Sequence, residues 1–388
     1  MTSLCKKMRS AAHRFVKGAV HIIAPDERSR KKAVSTYYAI RWRAYNLAKR
    51  EPSFNAEELL SWRRTMRLKI EYSIEVYRGN SFYGAGLAMR EYARLNTPLK
   101  ACIEHGLYLG EYTNPVECGD SGLPAVVTFG PARAEHIRSV SDKPVLMVGP
   151  YIAYAKDYLD KNEAARAKRM IGRTLLAFPS HSTDYVEKRF DTSDYIEHLQ
   201  ERKREEGFDT VLVSLYFSDI IKGSANLYER AGFTVVTCGY REDSRFLRRL
   251  KSLICLADET SSNSVGTHVG YCAYFGKPHL IYRQTCEAIG ITRQDTKADF
   301  SEKNERSSAE ESDEIAKAFA VRTEAATNSQ LEVCDKYWGF QHIKTAENMA
   351  KLFNLLDAID RGEVSDEVIE TMKCVNSRNV NDWEKEVR

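Results

Sequence analysis

The stretch Leu253–Tyr282, LICLADETSSNSVGTHVGYCAYFGKPHLIY, decides how this chain is read. Its apolar runs, Ser252–Leu256 and His279–Tyr282, have the length and composition of buried strands. Between them lie a polar turn, DETSSNSVGTH (258–268), and a run of small residues with the pattern of a helix. One helix N-cap needs one or two hydroxyl or amide side chains, and this turn holds six. A strand, a polar turn and a helix in that order place unpaired helix N–H groups and hydroxyl donors at one sheet edge, a setting that suits a phosphate.

The same alternation extends outward. Strands are expected at Thr174–Phe178, Thr210–Leu215, Phe233–Cys238, Ser252–Leu256 and His279–Tyr282, with helices near 193–206, 218–231, 243–251 and 264–276. That order predicts a parallel, doubly wound sheet. Upstream, 56–96 has helical spacing, and short β-rich runs follow at Leu99–Ile103, Ala125–Phe129 and Pro144–Val148. The reading is α/β, with two Rossmann-like domains facing a crevice and a helical basic N-terminal segment. The expected divisions are 1–50, 51–165, 166–335 and 336–388. Residues 292–314, polar and almost free of large apolar side chains, read as a mobile loop, and 314–359 reads as helical.

The 388 residues hold 43% hydrophobic side chains, enough for substantial cores. Nine cysteines, with no CxxC pair, read as reduced thiols and not as a disulfide framework or a zinc site. No apolar run has the length of a membrane span and no signal-peptide core follows the start, so the chain is read as cytoplasmic. Charge is uneven: 1–50 carries +11 and the rest −7. Phe15, Val16, Val20, Ile22 and Ile23 are interspersed among Lys6, Lys7, Arg9, Arg14 and Lys17. This composition fits a helix lying on an anionic membrane, a solvated arm, or a helix packed on the body. No nucleic-acid-binding motif accompanies the charge.

Within the polar turn, Ser261, Ser262, Ser264 and Thr267 offer hydroxyls, Gly266 permits close approach, and His268 offers a donor or a charge. Two further turns leave strands with a histidine. Ser180, His181 and Ser182 follow Thr174–Phe178, and Glu104 and His105 follow Leu99–Ile103. Either Glu104 or His105 is a candidate general base. Arg241, past Phe233–Cys238, is a candidate partner for phosphate or carboxylate, and Tyr240 for a stacked base. Neither GxxxxGK[ST] nor a strand-linked GxGxxG occurs, which argues against a P-loop nucleotidase or a typical dehydrogenase.

Taken together, IEHGLY (103–108), GPYIAYA (149–155), FPSHS (178–182) and the 249–282 region resemble, in layout, GT-B glycosyltransferases that build bacterial surface polysaccharides. The likeness is to bacterial sialyltransferases and polysialyltransferases, and to CDP-glycerol polymerases of teichoic-acid synthesis. It places Ser261 and Ser262 on the family's paired serines, His181 on the donor-phosphate histidine, and Glu104-His105-Gly106 on the acidic or HG turn. Where those enzymes have two acids and a glycine this chain has E-H-G, and S-H-S replaces His-Pro. The resemblance implies a nucleotide-sugar donor, CMP-linked by preference, and a glycan or lipid-linked acceptor. It also implies no bound cofactor or metal, in keeping with the lack of a DxD triplet, and docking on the inner membrane face through 1–50. A CDP-alditol phosphotransferase and a non-catalytic glycan- or membrane-binding module are the alternatives.

Overall fold

The computed structural model describes residues 33, 36–38, 40–45, 54–182, 186–290 and 302–374. The fold is mixed α/β, with two parallel sheets and a separate antiparallel pair of short strands. Helices α1 (Ala56–Leu59), α2 (Trp62–Arg67) and α3 (Ala85–Tyr92) precede strands β1 (Cys102–Ile103), β2 (Val126–Thr128) and β3 (Val145–Met147), with α4 (Pro131–Arg138) between the last two. These strands form one parallel sheet in the order β1-β2-β3. After α5 (Lys161–Ile171) come β4 (Thr174–Phe178), β5 (Val186–Arg189), α6 (Thr192–Glu206), β6 (Thr210–Ser214), α7 (Phe217–Ile221), α8 (Ala225–Arg230) and β7 (Thr234–Val236). Then follow α9 (Phe246–Leu256), β8 (Glu259–Ser262), α10 (Thr267–Tyr274), β9 (His279–Ile281) and β10 (Glu287–Gly290). The chain closes with α11 (Glu302–Ala318), α12 (Asn328–Trp338), α13 (Ala346–Asp360) and α14 (Asp366–Cys374).

The second sheet is fully parallel, in the order β7-β6-β4-β8-β9. From β4 the chain winds outward through β6 to β7, then returns to lay β8 and β9 on β4's other side. Such a reversal opens a gap between the loops after β4 and β8, the usual ligand position in parallel sheets. Side chains alternate between faces along each strand. Leu176, Phe178, Leu212 and Val236 join the largest core, while Leu175, Ala177, Val211, Val213 and Val235 build the core on the opposite face. Ile103, Val127 and Val148 from the first sheet enter that same largest core, so one apolar interior runs across both sheets.

Three expectations change. Ser252–Leu256 is the last part of α9 and not a strand. Its apolar residues Leu247, Leu250, Leu253 and Ile254 form a helix stripe, all buried, and a short apolar run does not by itself separate helix from strand. The strand begins instead inside the polar turn, at Glu259. Of the expected loop 292–314, residues from Glu302 onward form α11, while 292–301 lie outside the described residues. Helical spacing past Arg67 also misleads, because Leu68–Tyr77 carries no helix.

Most of segment 1–50, including Phe15–Ile23, lies outside the described residues. Residues 40–45 are helical and packed on the body, with the buried Trp42 ring 3.7 Å from the Arg90 guanidinium. Arg90 in turn donates to Glu75 at 2.7 Å. Among the described residues no helix is long and apolar enough to cross a membrane.

Candidate functional site

The gap between β4 and β8 gathers two of the loops singled out in the sequence. The Ser180 amide donates to Asn263 Oδ1 at 2.6 Å, and the Ser180 hydroxyl lies 2.5 Å from the Ser264 hydroxyl. Asn263 is held by Gln284, 2.9 Å from its amide, and Gln284 is anchored on Asp194 at 2.6 Å. Helix α10 starts from Gly266 in extended backbone, with no side chain capping it. The Val269 N–H closes onto the Gly266 carbonyl at 3.0 Å, and the partial positive charge of the helix start lies at the sheet edge. Thr267, the first helical residue, spends its hydroxyl elsewhere: it accepts from the Leu107 amide at 3.0 Å.

Burial disfavours the charged form of His268. His268 stacks on Phe178 with ring centroids 4.6 Å apart, and burial holds its pKa well below the ordinary 6.5. Its Nε2 has no hydrogen-bond partner among the described residues. His181 is open to solvent on one side and 4.8 Å from the Tyr216 ring, while the surrounding protein pushes its pKa down to about 4. At neutral pH His268 is a hydrogen-bonding group that supplies no charge. Ser182 is buried and structural, its amide 3.3 Å from Asp219 and its hydroxyl accepting from the Lys188 amide.

Ser261 and Ser262 lie inside β8, completely buried, and do not line an open turn. Thr260 and Ser262 share one face of the strand, where His279 serves both. Its Nδ1 is 2.8 Å from Thr260 Oγ1 and its Nε2 is 3.1 Å from Ser262 Oγ. Ser262 also donates to the Ser264 carbonyl at 2.8 Å. Burial lowers the His279 pKa to about 3, so this is a neutral core network holding polar side chains inside a central strand. Of the paired serines, neither hydroxyl is presented to a ligand; Ser180 and Ser264 occupy the edge instead.

On the first sheet, Glu104 leaves β1 and is buried at once. Thr128 Oγ1 donates to it at 2.6 Å, and Arg133 donates through Nη2 at 2.6 Å and Nε at 3.3 Å. Arg133 also donates to the Gly110 and Tyr112 carbonyls, each at 2.9 Å. From the other side α11 captures the same loop: Glu311 accepts from Gly110, Ser307 from Glu111 and Asn304 from Tyr112. Glu104 thus anchors the loop that carries His105. With three donors on its oxygens it has little capacity left to take a proton from a substrate.

His105 is partly exposed, its Nε2 2.9 Å from the Tyr108 hydroxyl. Beside it lies Glu117, on the π-helical turn Val116–Asp120, with Oε1 3.7 Å from His105 Nδ1. Glu117 is 1% exposed, accepts from the Tyr77 hydroxyl at 3.0 Å, and its Oε2 has no partner among the described residues. Nothing in the local sequence marks Glu117, because a π-turn carries no periodic signal.

Aromatic side chains join the two sheet edges. The Tyr83 amide donates to the Arg241 carbonyl at 2.6 Å, and the Tyr83 and Tyr216 hydroxyls are 3.3 Å apart. Phe82 meets His105 edge-on at 5.4 Å, and the Arg241 guanidinium lies 4.9 Å from the Phe82 ring. Tyr83 has a positive φ of 58°, a conformation that costs a bulky residue energy and is held here by Tyr216 and Arg241. His105, Arg241, His181 and the start of α10 therefore converge. A separate depression of about 740 Å³ lies away from them, between α4 and the α12–α13 connection, lined by Glu135, Arg138, Asp335 and His342.

The fold is α/β with parallel sheets, and at the sheet reversal a polar edge formed by Ser180, Ser264 and the start of α10 meets the loop that carries His105. Compared with known protein families and with curated proteins, the chain matches no family model and no curated protein.

Proposed function

We propose that this protein is a glycosyltransferase of GT-B-like layout, moving a sugar from a nucleotide-activated donor to a glycan or lipid-linked acceptor. The observation that carries the reading is the contact between Leu107 and Thr267, which sets the His105 loop against the uncapped start of α10 beside Ser180 and Ser264. The donor phosphate is seated by the Ser180 and Ser264 hydroxyls and the first N–H groups of α10, with Arg241 at the rim. The acceptor hydroxyl attacks the anomeric carbon and gives its proton to His105 Nε2. The carbon–oxygen bond to the donor phosphate breaks, and its electron pair leaves with the nucleotide. Developing charge on that phosphate is met by fixed dipoles, which need no reorganisation at the moment of reaction.

The favoured donor is a CMP-sugar, and the protein works at the inner face of the membrane, with basic segment 1–50 meeting anionic lipid. The test is a thermal-shift panel with CMP, CDP, UDP and GDP at saturating concentration. A ligand bound only by the folded state raises the melting temperature. One nucleotide is expected to raise it, and a Ser180→Ala, Ser264→Ala double variant to lose most of that rise. No response to any of the four overturns the reading, while a phosphodiester product from a CDP-alditol reassigns the reaction to phosphotransfer.

A further inference from the structure

Glu117 and His105 come from different segments, one on a π-helical turn and the other on the β1 exit, yet the fold sets their side chains together. Glu117 is almost fully buried and far from saturated: Tyr77 donates to Oε1, and Oε2 has no partner among the described residues. A carboxylate left with spare acceptor capacity in a buried place costs free energy unless a donor or cation compensates it. Glu104 shows the contrast, since Arg133 forks it and Thr128 completes it. Beyond the Tyr77 hydroxyl, the group that could bring a compensating positive charge to Glu117 is the imidazole, whose Nδ1 is 3.7 Å from Oε1.

We infer that Glu117 is a positioning residue for His105, fixing the proton on Nδ1 and leaving Nε2 as the basic nitrogen. The inference rests on the transferase reading only for the identity of the proton His105 takes. A carboxylate behind an imidazole orients the ring, selects the tautomer and stabilises the imidazolium that forms. The Tyr108 hydroxyl lies 2.9 Å from Nε2 and 3.3 Å from Nδ1, bridging the ring edge between the two nitrogens and leaving the Nδ1 side toward Glu117. Phe82 and Tyr108 enclose the ring edge-on and Tyr83 lies stacked at 6.5 Å, which restricts its rotation.

Other charged and titratable groups face this pair. Glu104 adjoins His105 in the chain but is occupied by Arg133. Lys143 binds the Glu117 backbone carbonyl at 3.3 Å and Ser121 at 2.9 Å, without bonding the carboxylate. Cys102, Cys118, Tyr108 and Tyr151 lie near Glu117, and burial raises the pKa of both thiols to about 11. Arg241 pairs with Glu242 at 3.4 Å and faces the Phe82 ring at 4.9 Å.

The experiment follows the His105 ring by NMR in the full chain, against pH, in the native protein and in Glu117→Gln. A carboxylate behind Nδ1 selects the tautomer, so the neutral ring is expected to lose its Nδ1 protonation in Glu117→Gln, read from ring ¹⁵N shifts, and to recover it in Glu117→Asp. If Glu117→Gln does not fold, ring ¹⁵N shifts of the native protein decide: a neutral His105 protonated on Nδ1 supports the inference. An unchanged tautomer in Glu117→Gln, or a native ring protonated on Nε2, overturns it. Neither measurement uses a nucleotide, so failure here leaves the thermal-shift test of the transferase reading intact, and the converse holds.

Discussion

Two buried glutamates at one sheet edge show how residue-scale surroundings decide a role. Glu104 is bound by a guanidinium and a hydroxyl, and its work is to hold the 104–112 loop through Arg133. Breaking such a pair leaves a charge buried without a partner, so Arg133→Met is expected to cost about 3–5 kcal/mol in urea unfolding. A cost below about 1 kcal/mol would show that the pair is not structural. Ser262 makes a similar point. Ser262→Ala removes a donor to the Ser264 carbonyl and a partner of His279. It is expected to cost about 1–3 kcal/mol while sparing nucleotide binding, whereas Ser180→Ala spares stability and weakens binding. The reverse pattern would return the phosphate seat to β8.

His279 sets a pH dependence whose sign follows from its environment. Its folded pKa of about 3 lies below the ordinary 6.5, so between those values the unfolded chain binds more protons. Its contribution is complete above pH 6.5 and is lost as pH falls toward 3. One such group changes stability by at most about 1.4 kcal/mol per pH unit across the window. Urea midpoints for the native protein should fall on acidification, and His279→Gln should show a shallower slope. Equal slopes would place the dependence on other groups.

At the scale of elements, α10 is fixed by what covers it. Gly270 has no side chain, and the Trp338 ring of α12 lies directly where a Cβ would stand. Trp338 is completely buried and donates from Nε1 to the Thr267 carbonyl at 3.0 Å, which sets the axial position of the helix whose start is the proposed donor seat. Gly270→Ala forces the indole aside and is expected to destabilise by about 1–3 kcal/mol, with a matching loss of the nucleotide-induced shift. Normal stability in that variant would show that α12 is free to move. Helix α12 itself ends at Gly339, whose φ of +67° and contact with Gly130 leave no room for a side chain. The reading of α9 as a strand failed at this scale. A helix with Leu247, Leu250, Leu253 and Ile254 buried, followed by a strand made of Glu-Thr-Ser-Ser, inverts the usual assignment of apolar runs to strands.

At the scale of the molecule, both sheets contribute to one apolar core, and helices α3, α9, α12 and α13 add to it. A shared interior couples the unfolding of its parts. Calorimetry is expected to show one cooperative transition, with the calorimetric and van't Hoff enthalpies equal; two separable transitions would show that the sheets fold as independent units. The same continuity explains why contacts between loops of the two sheets are short: Leu107 reaches Thr267 across 160 positions of sequence.

The sequence by itself determined the alternation of strand and helix, hence a parallel α/β fold, and the turns after β1, β4 and β8 where polar residues gather. These features are legible because the two-residue and 3.6-residue periods and the chemistry of turns are local properties of the chain. Only the tertiary structure decided which members of each cluster face outward. It buried Ser261 and Ser262, left Ser180 and Ser264 at the edge, tied Glu104 to Arg133, and brought Glu117 to His105. The physical reason is that hydroxyls and carboxylates carry no mark of their partners. Whether such a group is spent inside the protein or kept for a ligand depends on donors and acceptors that folding delivers from distant positions.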